Sequence, residues 1–293
     1  MGSRLPPHRR RRVVLIALLA AAIASLAFAA SALAGDITPE TGGSPNADKI
    51  DDLYKIALYV AIVVFVGVEG TLLYSVLRFR ERKGRVPAQI RGNTRLEIGW
   101  TVGAALVLVV LTVVTFAYLP DIKNPARSGT NITGGGVLYA SLDQPAPPGG
   151  RKLNICVNGQ QYVWRFTYSS SCSNTFGKAY AYGTMVVPVD TTVTLDIQAQ
   201  DVAHSWWIPK LGPKFDAIPG YTNHSWFKIS MPGSYPGQCA ELCGANHANM
   251  LARVRAVPVN EYEAWITRQK QEIDQANQAA AQERKQFSPI PSQ

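Results

Sequence analysis

Residues 237–250 read GQCAELCGANHANM and concentrate the candidate metal ligands of the chain. Two of its four cysteines, Cys239 and Cys243, lie here with His247 and Met250, and the whole chain has only four histidines. Thiolate, imidazole and thioether are soft ligands that suit copper. One cysteine would hold a single copper ion, whereas two thiolates four residues apart can bridge two ions. The stretch therefore predicts a copper site, with the backbone carbonyl of Glu241 facing the metals.

A second imidazole must come from elsewhere in the fold. His204 ends a β-rich run and precedes two tryptophans, so it is the candidate ligand. His224 lies in a run of alternating pattern that is typical of an edge strand, and isolated histidines are seldom ligands. His8 lies in the N-terminal leader. A Cys2His2 zinc site is the alternative, but zinc would not need Met250.

The half of the chain that carries these ligands has an all-β pattern. Short runs rich in Val, Ile, Thr, Tyr and Trp alternate with Gly, Pro, Asn and Asp from about residue 137. This spacing favours a sandwich or barrel, and the ligand loop resembles that of a Greek-key cupredoxin. We expect this domain to cover residues 121–260, after a flexible approach that ends near residue 150. Residues 261–293 are rich in helix formers and predict a terminal helix and tail.

Two apolar runs, residues 56–77 and 98–119, precede this domain, and each approaches the ~20 residues that cross a bilayer. The loop between them, residues 78–97, carries seven Arg or Lys against two Glu and should be cytoplasmic. Residues 53–120 therefore predict a transmembrane hairpin whose two ends are extracytoplasmic. Topology explains much of the net charge of +9, and nucleic-acid binding is excluded.

The N-terminus predicts a secretory signal. A basic start, MGSRLPPHRRRR, leads into an apolar run that ends in a small-x-small pattern at Ala34. We expect residues 1–34 to be a cleaved signal peptide and residues 35–52 to form a short extracytoplasmic segment. An uncleaved third membrane helix over residues 13–34 is the alternative.

The other two cysteines, Cys156 and Cys172, are candidates for a disulfide because the compartment is oxidising. An unbroken strand over residues 156–168 would run about 40 Å and keep the two cysteines apart. The disulfide therefore requires a bend, for which Gly159 is the candidate.

The chain resembles subunit II of the heme-copper cytochrome c oxidases in three stretches. These are the ligand loop, DVAHSWWIP at residues 201–209 and GNTRLEIGWT at residues 92–101. The resemblance covers about residues 51–265 and implies the dinuclear copper centre CuA. It implies that Cys239 and Cys243 bridge both coppers. His204 and Met250 would complete one copper, and His247 with the Glu241 carbonyl the other. The Glu241 carboxylate would also reach a Mg or Mn ion at the border with subunit I.

The resemblance suggests roles for residues outside the copper loop. Glu97 resembles the glutamate at the cytoplasmic mouth of a proton path into subunit I, and a carboxylate at a helix start is also favoured by the helix dipole. In this family, electrons enter the subunit through an aromatic run. The corresponding stretch of this chain is GQQYVW, residues 159–164. Tyr162 replaces the usual tryptophan there and Trp164 is kept, so both are candidates for electron input. Both residues could equally be packing aromatics.

Glu69 is an ionisable residue inside the first apolar run and is not explained by any of these motifs. Such a residue faces a partner or a water path, or bonds between helices as a neutral acid.

The resemblance implies a subunit of a respiratory oxidase in a bacterial plasma membrane. It would take electrons from cytochrome c, which could be membrane-tethered, and pass them to heme in subunit I. Oxygen reduction and proton pumping would belong to that partner, beside a subunit III. The alternatives are a CuA-containing nitric oxide reductase, a quinol oxidase subunit that has lost its copper ligands, and a copper chaperone. None of the copper ligands is lost in this chain, and it has too few methionines for a copper chaperone.

Overall fold

The computed structural model describes residues 38–80, 84, 89–126, 153–169, 172 and 177–286. The predicted signal peptide, residues 81–83 and 85–88 of the basic loop, and the approach to the β domain lie outside the described residues.

Two long apolar helices come first, α1 at Pro45–Arg78 and α2 at Thr94–Lys123. An 18-residue window within each helix has a mean hydropathy of 2.3 in α1 and 2.5 in α2, so by length and composition both helices could cross a membrane, as predicted. At the start of α2, the Asn93 side chain accepts from the Leu96 amide, and Glu97 accepts from the Asn93 amide. This reciprocal cap fixes where the helix begins.

Helix α1 begins before the apolar run that was predicted to start near residue 56. The helix already begins at Pro45, a residue whose fixed φ suits the first turn. The polar first turns of α1 have no apolar run to mark them in the sequence, and contact with the distant β domain stabilises them. The short extracytoplasmic segment over residues 35–52 stays a prediction.

The β domain consists, within the described residues, of ten strands in two five-stranded sheets. The strands are β1 Leu153–Gln160, β2 Val163–Thr167, β3 Tyr180–Tyr182, β4 Thr184–Pro188, β5 Thr192–Ala199, β6 His204–Trp207, β7 Phe215–Ala217, β8 Asn223–Lys228, β9 Gly233–Cys239 and β10 Leu251–Val257. One sheet has the order β3-β2-β1-β5-β8 and the other β4-β10-β9-β6-β7. The pairs β1/β5 and β4/β10 are parallel, so chain crossovers link the layers. The predicted helical hairpin and all-β sandwich are confirmed.

The core lies between the two sheets. Trp206 on β6 stacks on Phe227 from the opposite sheet with ring centroids 6.2 Å apart. Ile155, Leu195 and Val254 are fully buried beside them. This apolar filling holds the sheets face to face and leaves the strand ends to carry the polar loops.

Cys156 and Cys172 form a disulfide, with Cα atoms 5.2 Å apart. The chain turns at Gln161 and Tyr162, and β2 then returns antiparallel to β1 with Thr167 opposite Cys156. The bend is therefore two residues beyond the expected Gly159, which stays inside β1 because it still pairs with both neighbouring strands.

A final helix, α3 at Val259–Gln286, agrees with the predicted terminal helix and begins two residues before its predicted start. Its first turns pack on the β domain. Trp265 lies edge-on to Tyr168 with ring centroids 5.2 Å apart.

The outer ends of α1 and α2 are fastened to β8. The Asn46 side chain donates to the Trp226 carbonyl at 2.9 Å, and the Ser44 hydroxyl accepts from the Lys228 amide at 3.1 Å. The Trp226 indole donates to the Ile122 carbonyl at 2.9 Å. Ser44, Asn46 and Trp226 are all buried. These bonds fix the position of the β domain above the hairpin.

We expect Asn46→Ala to lower the free energy of unfolding by about 1–3 kcal/mol, because a buried carbonyl loses its donor. Thermal unfolding of the purified full chain in detergent measures this change. Gln275→Ala, on the exposed part of α3, is the control and should leave stability unchanged. Equal stability of the two variants would contradict the assigned role of Asn46.

Candidate metal centre

Three strands bring the predicted ligands to one end of the sandwich. Strand β9 ends at Cys239, β10 begins at Leu251, and the loop between them carries Cys243 and His247. Strand β6 begins at His204 and lies beside β9, where Trp206 pairs with Cys239. The ladder between β6 and β9 therefore places the distant imidazole next to the loop.

The sulfur atoms form the centre of the site. Cys239 and Cys243 are buried and unpaired, with their Sγ atoms 3.9 Å apart. His204 Nδ1 lies 3.9 Å from Cys239 Sγ, and His247 Nδ1 lies 3.5 Å from Cys243 Sγ. Met250 Sδ, fully buried, is 3.7 Å from Cys243 Sγ. The predicted side-chain ligands thus converge on the two thiols.

The Glu241 backbone also reaches the site. Its carbonyl oxygen lies 3.3 Å from Cys239 Sγ, while its side chain is exposed. The carbonyl therefore faces the sulfurs and the carboxylate faces outward, which is the arrangement that two separate metal roles would require.

Without metal, the Cys243 thiol favours its protonated form. Burial, followed by the neighbouring Cys239 thiol, raises the pKa of Cys243 to about 11. A metal ion binds the thiolate, so binding must release protons and becomes weaker as the pH falls.

Asp201 orients His204, a contact that the sequence analysis missed. Its Oδ1 lies 2.9 Å from His204 Nε2, which leaves Nδ1 as the ligand atom toward the sulfurs. Burial raises the pKa of the Asp201 carboxyl, but bonds from the Gln161 amide and the His204 ring outweigh it, so the pKa is lowered overall. The signal in the sequence was an Asp three residues before the histidine.

Gln161 links the β1–β2 turn to the ligand loop. Its backbone amide donates to Asp201 Oδ2 at 2.7 Å, and its side-chain amide donates to the Cys243 carbonyl at 2.6 Å. Gly244 has a φ of +131°, and a Cβ there would lie 2.6 Å from the Tyr162 hydroxyl. The turn therefore covers the loop closely.

Gly159 makes room for the His204 ring. A Cβ at residue 159 would lie 3.0 Å from His204 Cδ2 and 3.2 Å from the Trp164 ring. Trp164 also packs edge-on against His204, with ring centroids 5.9 Å apart. The orientation of the imidazole is thus set by packing as well as by Asp201.

The other predicted residues lie outside the sulfur cluster. Trp164 is fully buried, whereas Tyr162 is half-buried against the loop. His224 lies on the edge strand β8 with its Nδ1 2.8 Å from Asp196 Oδ1. Glu97 is exposed at the start of α2, and Glu69 is exposed on α1.

Comparisons with known proteins identify the family. Residues 182–257 match the family model for the periplasmic domain of cytochrome c oxidase subunit II, and residues 32–118 match the model for its transmembrane domain. Cytochrome c oxidase subunit 2 of Synechocystis sp. is 33% identical over 250 residues, 76% of this chain and 73% of the relative. This chain belongs to the cytochrome c oxidase subunit II family.

Two further proteins are similar to this chain. Cytochrome c oxidase subunit 2 of Alkalihalophilus pseudofirmus is 32% identical over 244 residues, 83% of this chain and 65% of the relative. The crystal structure of the periplasmic domain of subunit II from Bradyrhizobium japonicum is 32% identical, with a TM-score of 0.38. The match covers 41% of this chain and 94% of that one.

We expect His204→Ala to abolish the binding of two copper ions, because it removes the only imidazole that contacts Cys239 among the described residues. His224→Ala is the matched control and should keep full copper content. Metal analysis of the purified full-length variants measures both. Copper loss in His224→Ala with retention in His204→Ala would reverse the ligand assignment.

We expect Asp201→Ala to weaken copper binding by about 10- to 100-fold, since partners of this kind orient the ligand. Competition against a chelator of known affinity measures the effect. Asp216→Ala, an exposed carboxylate on β7, should have no effect. An unchanged affinity in Asp201→Ala would show that packing alone orients His204.

Proposed function

We propose that this subunit II chain is the electron-input subunit of a membrane-bound terminal oxidase and holds the dinuclear copper centre CuA. The observation that carries the proposal is the pair of buried, unpaired thiols with two imidazole Nδ1 atoms and one thioether within 3.9 Å of a sulfur. This donor set is soft, four of its members come from one loop, and it fits copper.

The division of the ligands between the two ions is the one that the family resemblance implies. Cys239 and Cys243 would bridge the two coppers, since both sulfurs are central. His204 and Met250 would complete one ion, and His247 with the Glu241 carbonyl the other. When bound, the copper pair supplies a site that accepts and releases one electron. The chain contributes burial, which keeps water from the ligands, and a rigid frame made by Asp201, Gln161 and the β6–β9 ladder.

The electron donor would meet the copper end of the sandwich. Trp164 is buried and cannot touch a docked protein, whereas Tyr162 is half-buried beside Cys243 and Gly244. We therefore assign electron input to Tyr162 and a packing role to Trp164.

Local charge suits a basic cytochrome c. Residues 121–260 carry seven acidic and eleven basic side chains, but no Lys or Arg occurs in residues 200–203 or 240–250. Asp201 and Glu241 are both exposed in these two loops. These two loops are therefore acidic although the domain is basic. Because Glu241 would bind the Mg or Mn ion, Asp201 is the loop charge available to a basic cytochrome c, and complementary charge would speed the encounter.

Membership of the same family supports a proposal for the partners and the compartment. The hairpin would lie in a bacterial plasma membrane beside subunit I, which holds the hemes, and subunit III. The exposed Glu241 carboxylate would share a Mg or Mn ion with subunit I. Glu97 would serve the cytoplasmic proton path. Its side chain is exposed and also accepts a hydrogen bond from the Asn93 amide at the start of α2.

The test is the electron paramagnetic resonance spectrum of the copper-loaded full chain. A seven-line mixed-valence pattern is expected, because two thiolates shared by two ions spread one unpaired electron over both. A four-line pattern, or zinc in place of copper in the purified protein, would refute the proposal.

Two loop variants sharpen this test. Met250→Leu should keep the seven-line pattern and shift the reduction potential, since it removes only a weak ligand. Cys243→Ser should lose the pattern, because one bridging sulfur is gone. A seven-line spectrum in Cys243→Ser would contradict the bridging role.

A further inference from the structure

A cavity of about 330 Å³ lies where the outer ends of the two helices meet the β domain. Three parts of the chain form its walls: Asn46 of α1, residues 122–124 at the end of α2, and residues 213, 215 and 221–226 of the β domain. None of the described residues that surround the sulfur cluster lies in these walls. Sites for small ligands begin at about 300 Å³, so the cavity is large enough to bind one.

The walls of the cavity combine aromatic rings with hydrogen-bond donors. The rings belong to Phe215, Tyr221 and Trp226. Amide, imidazole and hydroxyl groups come from Asn124, Thr222, Asn223, His224 and Ser225. Lys123 adds an exposed positive charge that no ion pair neutralises within the described part of the chain, and no acidic residue is among the described residues of the walls. The cavity therefore suits a ligand that is anionic at one end and apolar at the other.

The end of α2 does not repel an anion as a bare helix C-terminus would. Its Ile122 carbonyl accepts a hydrogen bond from the Trp226 indole at 2.9 Å, and its Pro120 carbonyl accepts one from the Asn124 amide at 2.8 Å. Lys123 lies in the last turn, where a positive charge offsets the negative end of the helix dipole. The potential at the mouth of the cavity is therefore set by the lysine.

The cavity lies at the level of the lipid headgroups. The apolar run of α2 ends at Leu119, so Lys123 lies about 6 Å beyond it along the helix. The headgroup layer outside the hydrocarbon core is about 5–8 Å thick on each side. The Lys49 ammonium lies 5.6 Å from the centre of the Tyr118 ring, and tyrosines of membrane helices gather at this boundary. A lipid of the outer leaflet can therefore reach the cavity with its headgroup.

We propose that this cavity binds the phosphate-bearing headgroup of an anionic membrane lipid, with Lys123 against the phosphate and Phe215 and Tyr221 against the glycerol. The bound lipid would join the end of α2 to the β domain, beside the bonds made by Asn46 and Trp226. Free phosphate offers the charge but no apolar part for the rings. The inference needs the membrane-spanning hairpin and does not rest on the copper proposal.

Native mass spectrometry of the purified full chain in detergent tests the class of ligand. We expect one molecule of phosphatidylglycerol to be retained more strongly than phosphatidylcholine, whose headgroup carries no net charge. Equal retention of the two lipids would overturn the anionic assignment. Displacement of phosphatidylglycerol by an equimolar amount of inorganic phosphate would assign the cavity to a free anion and would also overturn the proposal.

Two substitutions test the place of binding. Lys123→Glu should weaken the retention of phosphatidylglycerol about 25-fold, because each basic charge near an anionic lipid is worth about 5-fold and the substitution changes two charges. Lys178→Glu makes the same change at an exposed residue outside the walls and is the control. Thr222→Trp fills the cavity without a change of charge and should also prevent retention. Full retention by Thr222→Trp would place the lipid on the open surface and contradict a site in the cavity.

The assembled oxidase tests the competing occupant, which is a segment of another subunit. The complex purified from its membrane should retain the lipid, and Thr222→Trp should release it there as well. Loss of the lipid on assembly would assign the cavity to the other subunit and overturn the proposal.

The copper spectrum separates this inference from the proposed function. Lys123→Glu and Thr222→Trp leave the copper ligands untouched and should keep the seven-line spectrum, while circular dichroism shows that both variants are folded. An unsubstituted chain that lacks the seven-line spectrum but retains phosphatidylglycerol selectively would refute the copper proposal and support the lipid site.

Discussion

The pairing of β6 with β9 is the constraint on which the rest of the site depends. It holds His204 against Cys239, although the two residues are separated by 35 positions in the chain. The remaining ligands come from the loop that follows β9. They are close to the sulfurs in sequence, so they need no distant strand to bring them there. The sandwich core, with Trp206 stacked on Phe227, stabilises β6 from within. The apolar core thus determines where a polar, metal-binding loop can close.

Polar contacts around this strand pairing hold the ligands in place, each one supported by the next. Asp201 holds the His204 ring, and Gln161 holds both Asp201 and the ligand loop. Gly159 and Gly244 allow the turn to approach where a side chain would collide. Rigid ligands that need little rearrangement suit a centre whose work is to take up and release electrons. Asn46 and Trp226 bond the β domain to the two helices, so the position of the site relative to the hairpin is fixed.

Much of this architecture was predictable because strong local patterns mark it. Long apolar runs predicted α1 and α2. The metal-binding loop was predicted by the spacing of Cys239, Cys243, His247 and Met250. Features that depend on distant contacts were not predictable. The start of α1 rests on β8, and the turn at Gln161 is placed by pairing with β5 and by the disulfide. Asp201 looked like one more polar loop residue until the fold brought Gln161 and His204 to it.

The fastening of α1 has a consequence for the order in which the protein is made. Ser44 bonds to Lys228 across 184 positions of the chain, and Asn46 bonds to Trp226 across 180. Both helices are synthesised before β8 exists, so the hairpin must be threaded into the bilayer while its outer end still lacks these partners. Only after the later residues have been exported and the sheets have closed can the first turns of α1 acquire their bonds. The bonds that hold the first turns of α1 therefore form only after the chain has been made through Lys228.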